Sequence, residues 1–167
     1  MISRHFLTKK FYQAAVEISK NTGKKLMVVG DPCRGAYFSF ISRYFPNCKH
    51  GNVTIDLFGC SKCLRMDIND MEAWSQFESD SYVIIETGTI SYSKDIGELL
   101  KEIKRISGGD FLSAGGTQGF LWENFLYKTY DRNLTYVTYP FDYRKDTCHK
   151  SKKLVGKQIL EIDFKKI

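Results

Sequence analysis

The sequence predicts an α/β protein whose mainly parallel sheet carries helices on both faces and ends in a C-terminal antiparallel hairpin. Three observations carry this. The run Lys25 to Val29 is continuously apolar after its lysine and stops at Gly30 and Asp31, as a strand buried on both faces does. From there, strand-like and helix-like segments alternate, and strict alternation demands crossovers between parallel neighbours. The last two apolar runs, Leu134 to Phe141 and Gln158 to Phe164, alternate with period two and have only a polar basic loop between them, which suits antiparallel partners. With 167 residues, all of this belongs to one domain, 1–167, large enough for a full core.

Each element has its own warrant. Residues 5–20 set Leu7, Phe11, Ala14, Ala15 and Ile18 three or four apart with charged residues between them, then meet Asn21, Thr22 and Gly23; this is an amphipathic helix with its stop. The first strand leads into the loop Gly30 to Gly35, and residues 36–44 are apolar and aromatic enough for a helix stopped by Pro46 and Asn47. Asn52 to Phe58 is a second, β-branched strand closed by Gly59, Leu64 to Ile68 a third, and Asp70 to Phe77 a short helix capped by Asn69 or Asp70. Tyr82 to Glu86 is the most strand-like stretch of the chain. After it, Ser93 is the expected cap of a helix with Ile96, Leu99, Leu100, Ile103 and Ile106 on one face, ended by Gly108 and Gly109. Asp110 to Ala114 reads as a fifth strand and 117–130 as another helix, before the hairpin spanning 134–166.

Composition bounds the function classes. A hydrophobic share of 43% with 26% charged residues is the balance of an ordinary globular protein. The net charge of +6 favours contact with nucleic acid or another polyanion, and equally suits a self-repelling surface. No apolar run approaches the roughly 20 residues of a membrane span, so no membrane partner is expected. The N-terminus lacks the apolar core and cleavage site of a secretory signal. A cytoplasmic or other reducing intracellular compartment is therefore expected, and the five cysteines, an odd number, argue against a disulfide framework.

Candidate chemistry gathers at the strand ends. Asp31 follows the first strand, Asp56 lies near the end of the second and Asp67 at the end of the third. In a doubly wound sheet, these ends share one edge, and a carboxylate there can accept both hydroxyls of a ribose. Each aspartate alone also makes a good turn former. Glu86, with Thr87 and Thr89 behind it, ends the fourth strand and is the candidate base, although no histidine stands near it in sequence. Cys60 and Cys63 with Cys48 and His50 suggest a zinc set on paper, but the intervening strand rises about 3.3 Å per residue and holds the two pairs too far apart for one ion. No metal is expected. Six Lys or Arg residues between Asp142 and Lys157 (Arg144, Lys145, Lys150, Lys152, Lys153, Lys157), with Tyr136, Tyr139, Phe141 and Tyr143 close by, suit a phosphate backbone and stacked bases, or else a solvated hairpin tip.

The pattern resembles the class I S-adenosylmethionine-dependent methyltransferases, a family of Rossmann-like three-layer sandwiches with five parallel strands followed by a hairpin. LMVVGDPCRG looks like the first, cofactor-binding motif, VTIDLFG like the second strand with its ribose acid, RMDIND like the third, and SYVIIETGTISY like the fourth motif. IGELLKEIKRISGGDFLS is similar to the helix, Gly-Gly turn and fifth strand of many members. The resemblance implies S-adenosylmethionine as cofactor, held by Gly30, Asp31, Gly35, Asp56, Leu57, Asp67, Ile68, Glu86 and Thr87. The sequence GDP, DLFGC and DIND also resembles small divergent methyltransferase-like proteins of large DNA viruses. Two departures stand out. Pro32 and Arg34 occupy positions where the family's first loop carries glycines, and the fourth motif lacks the D/N-P-P-Y/F signature of enzymes that methylate base amino groups. Two functions follow: a methyltransferase, or a methyltransferase-like module without catalysis that binds nucleic acid, RNA included, through 144–157, or binds a protein partner.

Overall fold

The computed structural model describes residues 4–30, 53–58, 63–86, 89–113, 134–139, 149–154 and 157–167. The loop 31–35, the expected helices over 36–44 and 117–130, and the C-x-x-C residue Cys60 lie outside the described residues.

Five strands form one parallel sheet in the order β3-β2-β1-β4-β5: β1 Lys25–Val29, β2 Val53–Asp56, β3 Leu64–Arg65, β4 Tyr82–Glu86 and β5 Phe111–Ser113. β1 and β4 are central and hydrophobic throughout their interior, and every residue of β4 is buried. The third strand is shorter than Leu64 to Ile68. Asp67 leaves it in a turn, and Ile68 drops into the core, 7% exposed, where its carbonyl accepts from Trp74 Nε1 at 3.1 Å.

Period-two alternation divides the sheet. Met27, Val29, Ile84 and Phe111 share one core with helix α3 (Ile96–Ser107) and the short helix α2 (Met71–Trp74), whose Trp74 is fully buried. Leu26, Val28, Val83, Ile85 and Leu112 point the other way and are buried too. On that side lies helix α1 (Arg4–Thr22). Over residues 12–22 its buried stripe is Tyr12, Ala15, Val16 and Ser19, whereas Ala14 and Ile18 are only half-buried. Over those residues the buried face is shifted from the expected one, of which it keeps Ala15, because a Tyr-Ala-Val-Ser stripe has the same three-four spacing and brings a large ring inside.

α3 buries the expected face in full: Ile96, Leu99, Leu100, Ile103 and Ile106. Its cap is not Ser93. Asp95 has the extended cap conformation, and its Oδ1 accepts from the Glu98 amide at 3.2 Å. Ser93 is buried, and its hydroxyl has no hydrogen-bond partner among the described residues. Asp95→Ala should therefore lower stability by about 1 kcal/mol, measured as a urea midpoint. Ser93→Ala should be neutral or stabilising, since a buried unpartnered hydroxyl is a cost; equal losses from both would restore Ser93 as the cap. α3 ends at Gly108 in the left-handed conformation, φ 62°. Arg105, outside that apolar face, donates to the Trp74 and Phe77 carbonyls at 3.0 and 2.8 Å. It thereby satisfies the end of α2.

The C-terminal strands form a second sheet in the order β6-β8-β7, antiparallel throughout: β6 Leu134–Tyr139, β7 His149–Leu154 and β8 Lys157–Asp163. β6 and β8 are paired from Leu134 with Asp163 to Tyr139 with Gln158. Between them, however, part of the basic segment is not a loop but a third strand, with Lys150, Lys152 and Lys153 in it. Among the described residues, β7 is an edge, and lysines on an edge strand discourage further pairing. The sheet joins the main core through Ile162 and Phe164, both fully buried, with the Phe164 ring edge-on to Phe111 at 5.8 Å. No helix among the described residues is long and apolar enough to cross a membrane.

Candidate functional site

Parallel strands put their carboxyl ends on one rim, and four sequence-predicted residues sit there. Gly30 follows β1, Asp56 ends β2, Asp67 follows β3 and Glu86 ends β4. The registers Val29 with Ile55 and Val29 with Glu86 set β1, β2 and β4 level. Gly30 adopts φ 82° and its amide donates to the Ile55 carbonyl at 2.8 Å, so this glycine continues the ladder one residue beyond the strand. It is next to Asp56.

Both described aspartates of the rim, Asp56 and Asp67, shape turns. Asp56 Oδ1 accepts from the Phe58 amide at 2.8 Å, and Asp67 Oδ1 accepts from the amide and side-chain nitrogen of Asn69 at 2.9 and 3.0 Å. Asn69 in turn accepts from the Lys94 amide at 2.7 Å through Oδ1. The loops after β3 and β4 are thereby tied together across the α3 side of the sheet. Asp56 is half-buried and Asp67 exposed. A carboxylate has room for about four hydrogen bonds, so the turn at Asp56 leaves it acceptor capacity. Beyond it, Leu57 is 49% and Phe58 80% exposed.

Glu86 is placed differently. It is 1% exposed, one carboxylate oxygen accepts from the Ser113 hydroxyl, and the other accepts from the Ile90 amide at 3.4 Å. Val29, Ile84, Ile90, Leu99 and Phe111 line a cavity of about 10 Å³ beside it. That volume is at the lower limit for one water and the lining is otherwise apolar. Such a carboxylate organises its surroundings: it links β4, β5 and the 3-10 turn Thr89–Tyr92. Ser113 and Ile90 were not legible as its partners, since nothing in the sequence spacing joins them.

Thr89 completes the rim. A Cβ placed on Gly30 would overlap Thr89 Oγ1 and lie 2.5 Å from Thr89 Cβ. No known protein family, curated protein or solved structure matches this chain. The site therefore stands on its own geometry. Asp31, Gly35 and Thr87 lie outside the described residues; Gly30, Asp56, Leu57 and Asp67 share the rim, while Ile68 and Glu86 face inward to the core.

At the opposite edge of the sheet is a cluster with no counterpart among the sequence-predicted residues. The Lys24 ammonium, its side chain 8% exposed, pairs with Asp80 and with Asp110 Oδ2 at 2.7 Å, and donates to the Ser107 carbonyl at 2.8 Å. These residues precede β1, β4 and β5 and end α3. The cluster lies at the amino edge, away from the rim.

Proposed function

We propose that the chain is a Rossmann-like three-layer domain of the S-adenosylmethionine-dependent methyltransferase type, with the cofactor's adenosine portion along the carboxyl rim. What supports this reading is the strand order β3-β2-β1-β4-β5 with Gly30 beside Asp56 at the central crevice, where open α/β sheets hold ligands. The ribose end fits: Asp56 is partly exposed and retains acceptor capacity for two hydroxyls. S-adenosylmethionine supplies an already activated methyl donor, so the chain's task is to bind and orient. Glu86 keeps its buried carboxylate on Ser113 and Ile90 and contributes through the shape of the rim.

Calorimetric titration with S-adenosylhomocysteine tests the reading. Saturable binding is expected for the wild type. Asp56→Ala should weaken it about a hundredfold or more, since each hydrogen bond to a charged group is worth roughly 1.5–3 kcal/mol. Wild-type protein that gives no saturable heat at millimolar ligand defeats it.

A second reading has one observation of its own in favour: the lysine-bearing edge strand β7. In that reading, the domain lacks catalysis and binds nucleic acid through 144–157, or a protein partner. Salt-sensitive retention of RNA, lost on replacing Lys150, Lys152 and Lys153 and unaffected by Asp56→Ala, would support it.

A further inference from the structure

The rim carries an element that limits what enters it. Thr89 stands directly on Gly30: a Cβ there would overlap its Oγ1, lie 2.5 Å from its Cβ and 3.1 Å from its Cγ2. Almost no space separates the glycine main chain from the turn above it. That turn is fastened at several points. Ile90 is 2% exposed and donates its amide to Glu86, whose other oxygen accepts from Ser113. The turn is closed on itself by the Ser93 amide donating to the Ile90 carbonyl at 3.1 Å, and just beyond it the Lys94 amide donates to Asn69 Oδ1 at 2.7 Å. Beneath Ile90 the cavity is only about 10 Å³, too small to receive a side chain. The turn cannot sink inward, so Thr89 can leave Gly30 only by moving outward.

We infer that Thr89 is the specificity-determining residue of the rim, excluding any ligand group that must lie against the Gly30 backbone until the turn Thr89–Tyr92 lifts, and that Glu86 is the positioning residue holding it down. This rests on the reading of the rim as an adenosine site. A ligand that needs the lifted turn binds with an affinity reduced by the fraction of molecules in which it is lifted. Removing the side chain should restore that lost affinity. Keeping its volume should not.

The test is calorimetric titration of S-adenosylhomocysteine into wild type, Thr89→Gly, Thr89→Val, Glu86→Gln and Asp56→Ala, each checked for a cooperative melt. Thr89→Gly, which also removes the Cβ that stands over Gly30, is expected to bind roughly tenfold tighter than wild type or better, and Thr89→Val like wild type. Glu86→Gln, with weaker hydrogen bonds to the turn, should shift affinity in the same direction as Thr89→Gly, whereas a merely structural role would leave affinity unchanged or lower it. Should Thr89→Gly not fold, Glu86→Gln decides the outcome. Equal affinity in wild type, Thr89→Gly and Glu86→Gln overturns the inference and leaves the rim reading standing, provided Asp56→Ala abolishes binding. Weaker binding by both Thr89 variants also overturns it, because the hydroxyl would then be a ligand contact. Silence from every variant overturns the rim reading and this inference with it.

Discussion

Lys24→Met should destabilise the protein by about 3–5 kcal/mol, the usual cost of removing one partner from a buried ion pair. The reason is Asp110, 2% exposed, whose carboxylate Oδ2 receives the ammonium at 2.7 Å. Asp80, 63% exposed, loses less, because water can replace the lysine there. The Ser107 carbonyl at the end of α3 also loses its 2.8 Å donor. Lys24 thus joins the starts of three strands to the end of a helix. The measurement is a urea titration, with the midpoint falling and the slope unchanged. The double variant Lys24→Met/Asp110→Asn should recover much of the loss, since it also removes the buried carboxylate charge that faced the ammonium. A loss below about 1 kcal/mol for the single change would show that the pair acts as an exposed surface bridge.

The same corner explains why a glycine ends α3. Gly108 has φ 62°, and a Cβ there would overlap Asp80 Oδ1 and lie 3.2 Å from Lys24 Nζ. The helix stop was readable as a Gly-Gly pair, but the reason for it was not. Lys24 sits beside Lys25 in the sequence, and two adjacent lysines before an apolar run look like a solvated strand entry. Only the registers of β1 with β4 and of β4 with β5 bring Asp80 and Asp110 to it.

Legibility follows the range of the interactions. α3 and β4 were clear because their cores lie within one element: a three-four spaced stripe in the first and five consecutive buried residues in the second. The parallel sheet followed from alternation. Where two residues of similar chemistry competed, local rules failed. Ser93 and Asp95 are both good caps, and the choice depended on where the Ile96 face met the sheet. β7 was missed because His149–Leu154 has no apolar alternation; its pairing with β8 supplies what its sequence does not. At the rim, position was legible and engagement was not. Asp56 and Asp67 stand at the expected edge, yet each already holds a backbone amide in its own turn. Glu86 turned inward because Ser113 and Ile90, far from it in sequence or outside any strand pattern, offer donors there.

Gly30→Ala should cost about 2–6 kcal/mol, through two separable effects. A positive φ of 82° disfavours any residue with a Cβ, by roughly 1–3 kcal/mol. The rest is collision: the new Cβ meets both Oγ1 and Cβ of Thr89, so a rotamer change alone does not relieve it and the turn must move. Overpacking of this kind costs about 1–3 kcal/mol. The two parts can be told apart with Thr89→Gly, which removes the obstacle and leaves the dihedral untouched. In that background Gly30→Ala should lose only its conformational share, giving a favourable coupling of about 1 kcal/mol or more in a double-mutant cycle. Additive losses would mean that Thr89 yields freely. The dihedral alone would then account for the glycine, and the turn would place no limit on what lies over it.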